Sequence, residues 1–518
     1  MGSSEVPTIE RANQSSTQSP NHQGIDHEIV IVGSGFSGIG TAIELRKAGI
    51  HDFIILERED DLGGTWRDNT YPGLTVDTLS VVYSYSFEPN PDWSRVYAPG
   101  KELKEYADHC ANKYGVLPHI KYNKTVSKVS YDEDRNVWIT QLESGETITS
   151  RYFVSACGVL VNPKMPDIDG IESFKGKVIH ASRWDHDYDL SDKRVAVIGT
   201  GATAIQFIPE IVEKVKHLDI YQRTAIWLMP KADRPVTEKR KNQYRNIPFF
   251  QKFIRLKSII QFEKFISLGF VHNKQFPKFN QKIRDIGVAH IRRVVKDPEI
   301  QEKLIPKYSF FCKRPSIANN YYPVFNRDDV ELITEPIERI TETGIVTKDG
   351  KTREIDTMIC ATGFNFFNRN CMPTFEVTGK NNTNLGEFWE KNRFQAYRGA
   401  TVPNFPNYFM IFGPYSIASP SWFGMIDTQV RHLMRCLKRA KRKNANYIEV
   451  KQEAHDKDFK LVIKKRDNTV LYHGNCAPSN SYYFDANGDA PLIRPVTIFS
   501  MWLKSHTFPL RDYIFAKR

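Results

Sequence analysis

Two glycine-rich turns carry the clearest chemistry in this chain of 518 residues. The first reads Gly33-Ser34-Gly35-Phe36-Ser37-Gly38 and the second Gly199-Thr200-Gly201-Ala202-Thr203-Ala204. GxGxx(G/A) is the pattern of a loop that cradles a pyrophosphate. The first glycine makes the tight turn, the second lets backbone approach the phosphates, and the third position lets helix and strand pack closely. The helix N-terminus that follows favours anions. Glu57 ends the apolar run 53–56. It stands about 20 residues past the first turn, where a carboxylate accepts hydrogen bonds from a ribose diol. The run 218–221 holds the equivalent place after the second turn, but it ends in Gln222-Arg223-Thr224. A carboxylate there would repel a 2′-phosphate, whereas a guanidinium grips one with two hydrogen bonds. The first site therefore reads as one for FAD or NAD, and the second as one for NADP.

The elements that must hold these turns are legible around them. Residues 28–32 and 193–198 are short β-branched runs that feed directly into the glycines, and helical patterns follow, the first through Lys47 to a stop at Gly49. Between 230 and 308 glycine becomes sparse, and Lys, Arg, Phe and Ile recur at helical spacing. Strand patterns return at 330–333 and 357–360. The latter runs into Gly363 much as 153–157 runs into Gly158, and at both glycines the chain is expected to cross between two domains. After about Tyr397 it returns to the first domain with a strand at 408–412 and a helix over about 425–441.

The expected class is α/β, with two Rossmann-like dinucleotide-binding domains and a helical insertion in the second. The expected order is a disordered tail (1–26), the first part of the FAD domain (27–160) and the first part of the NADP domain (161–229). A helical insertion (230–312), the rest of the NADP domain (313–390) and the rest of the FAD domain (391–518) follow.

Composition narrows the classes. Hydrophobic residues at 40% and charged residues at 25% exclude a disordered chain, a collagen-like chain and a disulfide-stapled miniprotein. Lys plus Arg is 72 against 60 for Asp plus Glu, a net charge of +12 that first suggests nucleic acid or an anionic membrane. The densest basic run, Arg435 to Lys443, sits near a helix end where the helix dipole favours cations, and no nucleic-acid module accompanies it. No nucleic-acid partner is expected. Residues 1–26 lack the apolar run of a signal peptide. The uncharged stretch 399–426 is broken by prolines and asparagines, so no membrane span is expected. The seven cysteines are odd in number, scattered and without a CxxC, which fits a reducing, cytoplasmic location and argues against a thiol–disulfide or zinc centre.

Further motifs carry a family resemblance. Phe174-Lys-Gly176-Lys-Val-Ile-His180-Ala-Ser-Arg-Trp184-Asp185 resembles the FxGxxxHxxxW(P/D) signature of type I Baeyer–Villiger monooxygenases. Gly63-Gly64-Thr65-Trp66, Tyr71-Pro72-Gly73 and Asp77 resemble a second signature of the same family. The similarity runs from about residue 27 to the end of the chain.

The resemblance implies FAD and NADPH as cofactors, with a small-molecule ketone and O₂ as partners. NADPH reduces FAD, O₂ adds to give a C4a-peroxyflavin, and attack on the ketone leads to an ester or lactone. By the same resemblance Arg314 is the catalytic cation and Asp77 the aspartate that pairs with it. Lys313 is implied to contact the NADP 2′-phosphate. Gly64, Thr65, Trp66 and Tyr83 are placed against the flavin, Tyr71-Pro72-Gly73 in the loop that packs there, and Val126 near the adenine. His180 reads as a hydrogen-bonding linker between domains. Pro420-Ser421-Trp422-Phe423 reads either as pocket lining or as core. The stretch Asn480-Ser481-Tyr482-Tyr483-Phe484-Asp485 has tyrosine where many relatives have tryptophan. Two other readings stay open: a flavin monooxygenase acting mainly on sulfur or nitrogen, and a non-oxygenating NADPH-dependent flavoprotein.

Overall fold

A computed structural model describes residues 24–367, 369, 371–419 and 421–518. The expected N-terminal tail lies outside the described residues up to position 23. Its end at 26 comes too late, because the Asp26 amide donates to the Thr149 carbonyl at 3.2 Å and its carboxylate accepts from the Thr149 amide at 2.8 Å.

The first sheet is built on His27–Val32, which pairs in parallel with Phe53–Leu56 on one side and Thr147–Ser155 on the other. Phe53–Leu56 is buried at every position, the continuous apolar run of a strand covered on both faces. Helix Phe36–Lys47 covers one face, and helix Trp422–Arg442 packs behind it, with the Phe36 and Phe423 rings 4.6 Å apart. The antiparallel strands Val126–Asp132 and Val137–Leu142 extend this sheet.

The second sheet has five parallel strands, ordered Val330–Ile333, His217–Tyr221, Arg194–Ile198, Thr357–Cys360 and Lys177–His180. Helix Ala204–Ile211 follows its glycine turn. The insertion is helical, with Glu238–Asn246, Phe250–Ile266, Pro277–Val294 and Pro298–Leu304. The last of these starts at a proline and is capped by the Asp297 carboxylate, which accepts from Glu299 N at 2.7 Å.

Three boundaries move. Strand Glu376–Thr378 already pairs with Val126–Asp132 of the first sheet, so the return begins well before 391. The strand expected over 408–412 ends at Met410, and Phe412 has a φ of 72°, outside any strand. The helix expected from 425 starts at Trp422. Among the described residues no helix is long and apolar enough to cross a membrane.

Candidate active site between the two sheets

The strands of both sheets end in their glycine turns at the walls of a single cavity of about 1480 Å³. One small-molecule site is typically about 300–1,000 Å³, so this cavity exceeds one ligand.

The two turns share a division of labour. Gly33 and Gly199 have φ of 101° and 104°, and a Cβ would stand 2.8 Å from the Ala156 carbonyl oxygen and 2.6 Å from that of Ala361. The fold itself demands glycine there. Gly38 is also demanded by packing, since a Cβ would lie 1.9 Å from the Gly33 carbonyl oxygen. Ala204 is fully buried at the matching position. Gly38 and Ala204 thus sit behind the turns and shape them, while Gly33, Gly35, Phe36, Ser37, Gly199, Thr200, Gly201, Ala202 and Thr203 line the cavity.

The middle glycines differ. A Cβ on Gly201 would meet nothing within 4 Å, and one on Gly35 only the Gly64 Cα at 3.8 Å. Neither has a positive φ. Among the described residues nothing requires glycine at these two positions, whereas a phosphate lying against the backbone does. The residues present therefore fit a dinucleotide at each turn.

Glu57 is buried and faces the cavity. Its Oε2 accepts from Ser34 N and Oγ at 2.8 and 2.7 Å, and its Oε1 from Glu59 N and Arg67 Nη1, both at 3.2 Å. Four donors saturate an ionised carboxylate. A ribose hydroxyl must therefore exchange with one of them, and the Ser34 hydroxyl and Arg67 are the two carried on side chains. Gly64, Thr65 and Trp66 line the cavity beside Gly35, and Val126 lines it as well. Tyr83 lies edge-on to Trp66, with ring centres 5.7 Å apart.

Arg223 and Lys313 come together at the second turn. Burial and the neighbouring Arg223 charge push the Lys313 amine down to about 8. Two cations thus share one wall of the cavity, and among the described residues no carboxylate pairs with Lys313. Gln222 is held otherwise: its side-chain amide donates to the Lys303 carbonyl at 2.8 Å, so it braces the strand end.

Arg314 meets Asp77 side-on. Its Nε donates to Oδ2 at 2.9 Å and its Nη2 to Oδ1 at 2.8 Å, across 237 positions of chain. The aspartate raises the guanidinium pKa further above its already high value, so the charge is permanent. About a third of the Arg314 side chain remains accessible, and it faces the cavity. Tyr482 and Tyr483 stand beside it, both held as neutral phenols chiefly by burial. Tyr482 stacks on Phe366 at 4.8 Å, and Asn480 Nδ2 donates to Thr224 Oγ1 at 2.8 Å. The sequence reading does not include these tyrosines among the site residues. The substitution of tyrosine in this stretch is the visible signal, but its position beside Arg314 is not.

The aromatics of 422–423 divide. Trp422 lines the cavity, with its ring edge-on to Phe412 at 4.4 Å. Phe423 is fully buried among Phe36, Tyr83 and Tyr85.

Tyr71 lines the cavity, and its loop also bridges to the second sheet. Tyr71 Oη donates to Gln206 Oε1 at 3.1 Å, its ring meets Phe207, and a Cβ on Gly73 would lie 2.7 Å from the Gln206 carbonyl oxygen. Gln206 Nε2 also donates to the Thr75 carbonyl at 3.0 Å. The loop therefore clamps the two sheets together. His180 lies at the end of its strand, hydrogen-bonded to the Ser182 hydroxyl at 2.8 Å, and burial lowers its pKa. Trp184 packs on Phe207 at 5.2 Å.

One sequence reading is corrected outright. Cys312 and Cys476, 164 positions apart, form a disulfide, where the scattered set points away from one. The bond ties the segment just before Lys313 and Arg314 to the segment that carries Tyr482 and Tyr483. Spacing could not reveal it, because pairing depends on where the two segments dock.

Known proteins place this architecture. Residues 30–247 match a family described as pyridine nucleotide-disulphide oxidoreductase. A Baeyer–Villiger monooxygenase of Pseudomonas aeruginosa is 39% identical over 87% of this chain and 84% of its own length. One from Streptomyces coelicolor is 35% identical over 94% and 92%. The crystal structure of OTEMO in complex with FAD and NADP superposes with a TM-score of 0.84, at 28% identity, over 95% of this chain and all of that one. Paired glycine turns, a side-on Arg314–Asp77 pair and similarity along almost the whole chain converge: the chain belongs to the Baeyer–Villiger monooxygenase family.

Proposed function

We propose that the protein is an FAD- and NADPH-dependent monooxygenase that inserts one oxygen atom beside a ketone carbonyl to give an ester or lactone. The observation that carries this reading is the permanent Arg314 charge, fixed by Asp77 and exposed to a cavity walled by two dinucleotide turns. Bound FAD supplies the redox and oxygen chemistry, and the chain supplies orientation and electrostatics.

Gly35 and Gly64 would hold the FAD pyrophosphate, Glu57 would accept from its ribose, and Trp66 and Tyr83 would flank its ring. Gly201 would hold the NADPH pyrophosphate, and Arg223 and Lys313 would bind its 2′-phosphate. A phosphate there would offset the burial and the Arg223 repulsion that together depress Lys313. Arg314 stabilises negative charge that develops at the reacting oxygen, because a fixed cation in a partly dry site needs no reorganisation as charge builds. Asp77 is a positioning residue that holds the guanidinium plane. Trp422 and Tyr482 give the ketone an aromatic wall.

A panel of cyclic, aromatic and long-chain ketones, with NADPH consumption followed and products identified by mass, tests the reading. Products heavier than the ketone by one oxygen atom are expected. Oxygenation of sulfides or amines with no ketone converted would favour the sulfur or nitrogen reading.

A further inference from the structure

Helix Phe250–Ile266 turns an apolar stripe to solvent instead of to the core. Phe249, Phe253, Leu256 and Ile260 are 76%, 61%, 55% and 59% exposed. Steps of four, three and four residues put them on one side of the helix. Helix Ile498–Thr507 does the same with Phe499, Trp502 and Leu503, exposed by 60%, 47% and 40%. The two helices are joined: Glu263 Oε2 accepts from the amides of Ile498 and Phe499 at 2.8 and 3.4 Å, one turn beyond Ile260. The two helices, joined at Glu263, together leave seven large apolar side chains in water, beyond what scattered surface residues explain.

The rim of this face is basic. Lys252, Lys257 and Lys264 on the first helix and Lys504 on the second are exposed. Glu263, the acid between the helices, is already engaged by two backbone amides. A helix with Phe, Leu and Trp on one side and lysines flanking them is the arrangement that lies in a bilayer interface. Lysines flanking these exposed aromatics also attract anionic headgroups. A second copy of the chain is a poorer occupant, since a two-fold contact would set one basic rim against another, and like charges oppose that. The chain's net charge of +12 acts in the same direction.

We infer that this face docks the protein peripherally on an anionic lipid bilayer. The docking helix is wired to the cavity wall. Arg255, on its inner side, donates to the Val81 carbonyl at 3.3 Å and to the Ser84 hydroxyl and carbonyl at 3.0 and 2.9 Å. That stretch carries Tyr83, which lines the cavity. Docking would therefore hold the cavity close to the lipid surface, where apolar molecules concentrate.

The test uses the full-length flavoprotein and sedimentation with phosphatidylcholine vesicles, with and without phosphatidylglycerol. Binding to the anionic vesicles is expected, weakened about tenfold or more on neutral vesicles or in high salt. The double variant Phe253→Glu/Leu256→Glu should lose binding while its flavin content and NADPH oxidation stay unchanged, because both side chains are exposed and outside the cavity. Brominated lipids should quench tryptophan emission in the native protein and not in Trp502→Phe. Failure of the native protein to bind anionic vesicles would overturn the inference. So would undiminished binding by the double variant. A native dimer in analytical ultracentrifugation that the double variant turns to monomer, without vesicle binding, would assign the face to a second copy instead.

Discussion

Arg314 and Asp77 lie 237 positions apart and form two parallel hydrogen bonds of 2.9 and 2.8 Å in the cavity that both nucleotide turns line. The geometry separates their roles. Arg314→Ala should lower kcat for ketone oxygenation by about 100- to 1,000-fold, the usual cost of removing a preorganised charge donor. Arg314→Lys should recover little, because an ammonium cannot match the side-on carboxylate. Asp77→Ala leaves the charge but frees its orientation, and a loss of about 100-fold is expected. Steady-state kinetics with a converted ketone, alongside NADPH binding by titration, distinguishes these outcomes from a loss of cofactor.

NADPH affinity should depend on pH through Lys313. Its amine titrates near 8 because burial and Arg223 disfavour the charged form. The lysine is charged below that pH and neutral above it, so the dissociation constant for NADPH should rise as pH passes through about 8. NADH, which lacks the 2′-phosphate, should show no such rise. Lys313→Arg should flatten the NADPH profile, since a guanidinium stays charged throughout. Isothermal titration across the range reads all three.

Two glycines of the same motif type should fail in different ways. Gly38→Ala puts a Cβ 1.9 Å from the Gly33 carbonyl oxygen and should cost about 3 kcal/mol or more of folding stability. Gly201→Ala meets nothing within 4 Å, so its effect on stability should stay within about 0.5 kcal/mol. It should instead weaken NADPH binding by about tenfold or more, because the methyl occupies the phosphate's approach. Thermal denaturation without nucleotide, paired with NADPH titration, separates the two.

Neighbours on one helix should also separate. Phe423→Ala empties a fully buried site among four aromatic rings and should cost about 3–5 kcal/mol. Trp422→Ala opens the cavity wall, so it should shift the relative kcat/KM of small and bulky ketones with a smaller change in melting temperature. Equal stability losses would show that Trp422 is core as well.

Local features are legible in the order of residues alone. A glycine turn needs only a few consecutive residues, and a β-branched run beside it reads as a strand whatever the rest of the chain does. The strand over Thr357–Cys360 and the helical insertion after 230 are visible for the same reason. The Trp422–Arg442 helix is recognisable too, although its first turn is not, because Trp422 and Phe423 look alike in sequence and only docking against Phe36 tells them apart.

The sequence by itself determined two nucleotide turns, the acid that ends one following strand and the arginine that ends the other, since each depends on neighbours in the chain. Tertiary structure alone decided the rest. It brought Arg314 to Asp77 and Cys312 to Cys476, turned Tyr71 toward Gln206, filled the lone pairs of Glu57, and left Phe253 and Leu256 in water. These are relations between segments far apart in the chain. They follow from which strands pair and how two sheets dock, and no spacing along a single chain encodes that distance.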